Sequence, residues 1–246
     1  MLKKINSFSK DFLLASRVGV LLSPLKNFFR FMGNFCDLSL WVHRQHKKVL
    51  FTDFYKPVRT YSDREKLYSH VSKLIDLQNR AIQYYEFGVA SGASFRWWLK
   101  ENKNPASEFY GFDTFEGLPE DWHFYKKGDM SFGIPQVDDE RAHFFKGLFQ
   151  DTVPGFIRET TPHNNAVKVL HMDADLYSST LYVLTYFAPY LNEGDVIFFD
   201  EFNVPNHEFA AWNDFVRSYY VQYDVMGGVN NYYQTCFMYK GTKVEF

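Results

Sequence analysis

Tyr85-Glu86-Phe87-Gly88-Val89-Ala90-Ser91-Gly92 decides the fold of this 246-residue chain. An apolar run ends in Glu-x-Gly-x-x-x-Gly, and a helical pattern carrying Phe95, Trp97, Trp98 and Leu99 starts just after it. A strand that turns through glycines into a helix lets a ligand come close to the backbone, because no side chain stands in the way. A second apolar run, Phe109, Tyr110 and Phe112, ends in Asp113. A carboxylate about 20 residues beyond such a turn is where a Rossmann-type sheet holds a ribose. The spacing points to a nucleoside cofactor without saying which one, and an ordinary glycine turn reads the same way when taken alone.

Outward from this stretch, strands and helices alternate. Residues 62–80 read as a helix, with Ser62 as cap, Glu65 as capping-box partner, and Leu67, Val71, Leu74 and Ile75 as an apolar stripe. Strands are expected at about 82–88 and 108–113. Residues 116–137 carry Gly117, Pro119, Gly128, Gly133 and Pro135 and read as a long loop over the site. Its aromatics Trp122, Phe124, Tyr125 and Phe132 suit stacking on a sugar or an apolar aglycone, or simply pack the loop on the body. A short helix is expected to begin near Asp138, and a strand near 143–148. Apolar strands at 166–172 and 196–199 flank a helix running from Ser178 or Ser179 to about Leu191. A helix over 206–220 precedes two strands, near 221–227 and 233–240. Tyr232 and Tyr233 fall in that closing hairpin and receive no place in the site. The alternation predicts an α/β fold with a parallel sheet, and the hairpin predicts one antiparallel strand.

Charge is unevenly spread. Residues 1–50 hold nine Lys/Arg and two acids, Asp11 and Asp37, whereas the remainder holds 18 Lys/Arg and 27 acids. An acidic body excludes nucleic acid as the main partner, since phosphate binding needs a basic surface. The basic segment has no apolar run of the roughly 20 residues that span a bilayer. Arg17 interrupts what would be a signal-peptide core. The segment reads as amphipathic, with Pro24 breaking it into two helical pieces. Three roles are open to it: packing on the body, building a homo-oligomer interface, or lying on the inner face of an anionic membrane. Two cysteines, Cys36 and Cys236, cannot form a disulfide framework, so a cytoplasmic protein is expected. The division expected is a basic helical extension over residues 1–60 and a catalytic domain over 61–246.

Ligands of open α/β sheets bind outside the carboxyl ends of the strands. Acids fall at four of those ends: Glu86, Asp113, Asp173 with Asp175, and Asp200 with Glu201. Six carboxylates in one cleft repel unless something neutralises them. A divalent cation is the simplest neutraliser, and oxygen donors select a hard ion such as Mg²⁺, with Mn²⁺ as the second choice. Acids at strand ends also serve as ordinary helix caps.

Four further motifs carry a family resemblance. They are Gly111-Phe112-Asp113-Thr114-Phe115-Glu116-Gly117-Leu118-Pro119, Lys146-Gly147-Leu148-Phe149-Gln150-Asp151-Thr152, Met172-Asp173-Ala174-Asp175-Leu176-Tyr177-Ser178-Ser179-Thr180, and Gly194-Asp195-Val196-Ile197-Phe198-Phe199-Asp200-Glu201-Phe202. With Glu86–Gly92 they look like a class I S-adenosylmethionine (SAM) methyltransferase, and more specifically resemble the macrocin O-methyltransferase family, over residues 80 to about 240. The resemblance implies a Rossmann-like class I methyltransferase fold with a seven-stranded sheet. It implies methylation of a hydroxyl on a sugar or glycosylated small molecule, with SAM and Mg²⁺. It implies that Glu86, Gly88, Ala90, Ser91, Gly92, Ser94, Asp113, Thr114, Phe115, Leu148, Phe149 and Asp173 form the cofactor site. Asp173, Asp200 and Glu201 would bind the metal, Glu201 standing where some relatives have Asp, and Asp175 would be the general base. His123, His143, His171 and His207 are alternative bases, since imidazole has the better intrinsic pKa. A catechol-type O-methyltransferase, an NAD-dependent oxidoreductase and a non-catalytic scaffold stay open as alternatives; the glycine spacing opposes NAD.

Overall fold

β1 (Ile82–Phe87), β2 (Glu108–Asp113), β3 (Ala142–Lys146), β4 (Val167–Met172), β5 (Val196–Phe199), β6 (Val221–Val229) and β7 (Gln234–Thr242) form one sheet. Their order is β3-β2-β1-β4-β5-β7-β6. The first five run parallel, and β7 lies antiparallel to both β5 and β6. The computed structural model describes residues 2–117, 126–129, 131–162 and 165–243, with side chains from residue 9 onward.

Every residue of β1, β4 and β5 is buried, as expected of parallel strands covered on both faces. Alternate residues serve opposite layers. Tyr85, Phe87, Tyr110, Phe112, Leu170 and Met172 pack under α6 (Phe149–Thr160), α7 (Tyr177–Phe187) and α8 (Glu208–Tyr219). Tyr84, Phe109, Val169, Val196 and Phe198 pack under α4 (Arg64–Leu74) and α5 (Ala93–Glu101). Phe87, Phe112 and Phe145 stack in one row across three strands, with ring centroids 5.1 and 4.9 Å apart. Such cross-strand pairs set register where the strands meet the site.

Several local expectations are corrected. The helix from Ser62 is entered through a 3-10 turn, Tyr61–Asp63, and ends at Leu74 rather than 80. Asp63 occupies the cap position but spends its carboxylate on Lys56 and Lys66, so the capping box does not form. No helix begins near Asp138. Asp139 instead accepts from the Arg141 backbone amide at 3.0 Å and side chain at 2.8 Å, a tight turn that leads straight into β3. The third strand ends at Lys146, because Gly147 at φ +146° turns the chain into α6. That helix has no counterpart in the sequence reading, since Pro154 and Gly155 argue against one. Burial of Val153, Phe156 and Ile157 outweighs the lost hydrogen bond. Trp122, His123, Phe124 and Tyr125 of the expected lid lie outside the described residues.

The basic segment forms α1 (Leu2–Ala15), α2 (Val18–Leu22), a 3-10 turn at Ser23–Leu25, and α3 (Lys26–Gln45). Its 71° bend falls between Ala15 and Val18, at Arg17 with φ +57°, not at Pro24. Pro24 sits in the first turn of its short helix, where its missing N–H costs nothing. No single helix among the described residues is long and apolar enough to cross a membrane. The second half of α3 docks on the body through Leu38 and Trp41. The Trp41 ring packs 4.8 Å from Phe202, 5.3 Å from Tyr232 and 6.0 Å from Phe237, and its Nε1 donates to the Tyr223 hydroxyl at 3.1 Å. Trp41→Ala is expected to cost about 3–5 kcal/mol, the usual range for emptying a buried tryptophan site. Urea unfolding followed by circular dichroism should show that loss as a lower midpoint with an unchanged slope.

Candidate active site

The strands leaving β1 and β4 go in opposite directions, β1 toward β2 and β4 toward β5, so their carboxyl ends flank the topological switch point of the sheet. A cavity of about 400 Å³ opens there. Gly88 follows β1 at φ +95°, and a Cβ on it would stand 1.9 Å from the carbonyl oxygen of Asp173. The two strand ends can meet only because that atom is missing. The turn beyond is held by Asp113. Its Oδ2 accepts from the amides of Val89 at 2.8 Å and Ala90 at 2.9 Å, and its Oδ1 from the amide of Phe115 at 2.8 Å. Ala90, Phe115 and Asp175 all have left-handed backbones, at φ +47°, +54° and +58°. Strain of this kind clusters where function requires a particular chain path.

Gly88, Ala90, Asp113, Thr114, Leu148, Phe149 and Asp173 line the cavity, together with Asp175 and Glu201. Five residues expected at the cofactor lie off its wall. Glu86 is buried beneath it and accepts from the Tyr84 hydroxyl at 2.7 Å, with burial pushing its carboxyl up to about 8. Ser94 lies 3.4 Å from the Tyr68 hydroxyl, Gly92 is the N-cap of α5, Ser91 is exposed, and Phe115 is packed on Phe144 in the core. The strand's alternation turns Glu86 inward and the helix turns Ser94 inward, while their neighbours line the opening.

The acids are unequally neutralised. Asp200 Oδ2 accepts from the Tyr61 hydroxyl and lies 3.4 Å from Arg64 Nη1. That guanidinium sits 4.1 Å from the Tyr61 ring centroid and donates to its hydroxyl at 2.6 Å. The adjacent acid repeats the pattern. Glu201 Oε1 accepts from the Tyr233 hydroxyl, and the Arg59 guanidinium lies 4.3 Å from that ring centroid. Tyr61 and Tyr233 both line the cavity, so the exclusion of Tyr233 from the site is corrected. A hairpin position gives no hint that its hydroxyl reaches an acid 32 residues away. Arg64 and Tyr61 carried no sequence signal either, since they sit in the first turn of α4 and in the 3-10 turn that leads into it.

Burial raises the remaining carboxyls. Asp175 is pushed up to about 8 by burial and by the charges of Glu201 and Asp200, and Glu201 to about 7 by burial. Asp173 and Glu208 are held well above the usual carboxylate range, first by burial and then by neighbouring acids. Glu208, another residue absent from the sequence reading, accepts from the Glu201 amide at 2.9 Å. In donor chemistry the group suits a hard divalent cation. Asp200 Oδ1 and Glu201 Oε2 are buried without a hydrogen-bond partner on adjacent residues. The expected set of Asp173, Asp200 and Glu201 is nevertheless not drawn together. No group of three His, Cys, Asp or Glu side chains among the described residues is placed to hold an ion. Hydrogen bonds from Tyr61 and Tyr233 pull one oxygen of each terminal acid aside.

The described histidines stand apart from the cavity lining. His171 is buried between the hydroxyls of Tyr84, 2.7 Å from Nδ1, and Tyr68, 3.2 Å from Nε2, and burial lowers it to about 3. It is a neutral core residue. His143 stacks on Tyr110 from an exposed position, and His207 immediately precedes α8.

This strand order, with its antiparallel seventh strand inserted beside β5, is that of the class I methyltransferase fold. It differs from the NAD-binding order 3-2-1-4-5-6. The family described as "Methyltransferase domain" matches residues 85–202, from β1 through the Asp200-Glu201 pair. The chain is 29% identical over 160 residues to a Streptomyces olivaceus protein, the 8-demethyl-8-(2,3-dimethoxy-alpha-L-rhamnosyl)-tetracenomycin-C 4'-O-methyltransferase. That alignment spans 57% of this chain and 58% of the relative. Among solved structures, the calicheamicin methyltransferase CalS11 superposes with a TM-score of 0.53 at 19% identity, covering 84% of this chain and 91% of that one. The O-methyltransferase NovP superposes with a TM-score of 0.53 at 18% identity, covering 74% and 80%. The resemblance to sugar O-methyltransferases read from the motifs is thus upheld by a curated relative, and the fold by solved structures.

Gly88→Ala is expected to remove measurable nucleoside-cofactor binding in titration calorimetry, because the new methyl would need the Asp173 carbonyl to move. Gly155→Ala, whose Cβ meets nothing closer than 3.9 Å, should bind as the parent does.

Proposed function

We propose that this chain is a SAM-dependent O-methyltransferase, with residues 61–246 as its catalytic domain and a hydroxyl of a sugar or glycosylated small molecule as acceptor. One observation carries the reading. A single cavity is lined on one side by the glycine turn, Asp113, Thr114, Leu148 and Phe149, and on the other by Asp173, Asp175 and Glu201. The first side suits a nucleoside with a charged tail, and the second suits the removal of a proton. The names of the Streptomyces relative and of CalS11 and NovP support methyl transfer, and the first supports a rhamnosyl acceptor.

Methyl transfer from a sulfonium needs the acceptor oxygen, the methyl carbon and the sulfur in line. The cofactor supplies the reactive bond, and the protein supplies alignment. Holding both partners in one closed crevice is worth about 7–11 kcal/mol of the barrier. Asp113 holds the cofactor turn in shape, and a ribose hydroxyl would reach it by taking the place of the long 3.4 Å bond that Thr114 Oγ1 donates to its Oδ1. Leu148 and Phe149 offer an apolar wall to the adenine. Asp175 accepts the acceptor's proton as its oxygen attacks, a step worth roughly 10²–10⁴-fold. Its carboxyl sits in the cavity with its backbone fixed in a left-handed turn. Tyr61 and Tyr233 hold Asp200 and Glu201 and present their rings to the cavity, where a sugar can stack. Asp173, Asp200 and Glu201 would have to converge further than they do here to hold a divalent cation, Mg²⁺ or Mn²⁺, which there would neutralise the acids and make a nearby hydroxyl more acidic. The unpartnered oxygens on Asp200 and Glu201 support that part of the reading.

Asp175→Asn keeps the shape and the tolerance for a left-handed backbone but cannot take a proton. Turnover should fall at least 100-fold while SAM affinity, read by calorimetry, stays within about threefold. Wild-type turnover in this variant would remove Asp175 as base. The acceptor class is tested by incubating the chain with methyl-labelled SAM and a panel of rhamnose-type glycosides and catechols, with Mg²⁺ or with EDTA. Label is expected on the glycosides, in the presence of Mg²⁺. Label confined to catechols would replace the sugar reading, and equal labelling in EDTA would remove the cation from it.

A further inference from the structure

The half of the N-terminal helical segment that leaves the body carries an apolar surface the proposed reaction does not use. We propose that this face of α1–α3 is a docking surface for an anionic phospholipid bilayer. From Phe12 to Cys36 there is no acidic residue, and Arg17, Lys26 and Arg30 punctuate the run. Large apolar side chains stand in solvent along it: Leu14 at 69% exposure, Val20 at 68%, Leu21 at 79%, Phe28 at 58% and Phe29 at 55%. Phe31 and Phe35 continue the stripe, stacked on each other with centroids 5.9 Å apart. A continuous exposed apolar surface of this kind marks a binding face. An amphipathic helix with basic residues beside Phe and Leu is the kind that lies in a headgroup layer.

Geometry favours lying on the bilayer over crossing it. The two helical stretches meet at 71°, with Arg17 at the corner. The far end of α3 is fastened to the body by Trp41 and by Asp37, whose Oδ2 lies 3.4 Å from Arg217 Nη2. Charge selects lipid over a second copy of the chain. A two-fold dimer would set this face against itself, bringing Arg17 and Lys26 of both copies together with no acid between them, Arg30 being turned to Tyr177 on the body. Anionic headgroups complement the same residues. The acidic remainder of the chain is repelled by those headgroups, so the molecule is oriented arm-down. The inner side of the arm touches the body at two further places. Arg30 lies 5.3 Å from the Tyr177 ring centroid, two residues beyond Asp175, and Asn34 donates to Asn206 at 2.9 Å.

The test is co-sedimentation of the full chain with vesicles of phosphatidylcholine, with and without phosphatidylglycerol, at low and high salt. Pelleting is expected with the anionic vesicles, weakened by salt. Each basic residue near such a surface contributes about fivefold in partitioning, so Arg17→Ala with Lys26→Ala should weaken it roughly 30-fold. Phe28→Ser with Phe35→Ser should abolish it, while circular dichroism and SAM binding stay at wild type. No pelleting with anionic vesicles at low salt would overturn the proposal. So would pelleting that ignores either pair of substitutions. A dimer in sedimentation velocity that the Phe pair dissociates, with no vesicle binding, would assign the face to a second copy instead. None of these outcomes depends on the acceptor or on methyl transfer.

Discussion

The rest of the structure depends on one close approach, that of Gly88 to the carbonyl of Asp173. It joins the ends of β1 and β4 at the point where the sheet reverses its winding. Without it the crevice would be wider and the turn at 88–92 would lose its seat. Asp113 then locks that turn through two amides, and a third amide ties the carboxylate to the start of the loop after β2. Cofactor-side geometry is therefore built from backbone, with side chains selected mainly for their absence or their smallness. The stacked row Phe87, Phe112 and Phe145 lies directly beneath and resists any shift of the three strands.

The opposite wall obeys a different constraint. Asp173, Asp175, Asp200, Glu201 and Glu208 are gathered at the ends of β4 and β5 and the start of α8, and burial raises each of them. A single guanidinium, Arg64, reaches Asp200. The fold balances the excess with tyrosine hydroxyls, which donate to the carboxylates without adding charge. Two neighbouring acids thus each carry a Tyr capped by an Arg, Arg64 over Tyr61 and Arg59 over Tyr233. One oxygen of each acid remains unpartnered. A wall of this kind can hold a proton, a cation or a hydroxyl, which is the chemistry an O-methyl transfer requires on its acceptor side.

The N-terminal segment joins these halves to the outside. Its inner end is core, closed around Trp41, and the connector after it delivers Arg59 and Tyr61 to the acids, where the first residue of α4, Arg64, joins them. From Phe12 to Phe29 its outer part carries large apolar side chains exposed to solvent, with Arg17 and Lys26 among them. One stretch of chain thus contributes side chains to the acidic wall of the cavity and an exposed apolar surface to the outside.

Residue order by itself determined the layers, the parallel sheet with its antiparallel closing strand, the glycine turn and most of the acids at the strand ends. These follow from local periodicity and from Gly, Pro and Asp positions, which act within a few residues. Helix α6 was not read from the sequence, and it forms despite Pro154 because Val153, Phe156 and Ile157 are buried. Glu86 and Ser94, both expected at the cofactor, are turned inward off the cavity wall, because sequence proximity does not tell which side chains the pleat and the helix bury. Tyr61, Arg64 and Tyr233 could not be read at all. Each meets its acid across a long stretch of chain, 139 residues for Tyr61 and Asp200, and only tertiary packing sets such distances. Tertiary structure also decided how the acids are neutralised, because burial and the direction of a hydroxyl, not residue type, determine which carboxylate stays charged.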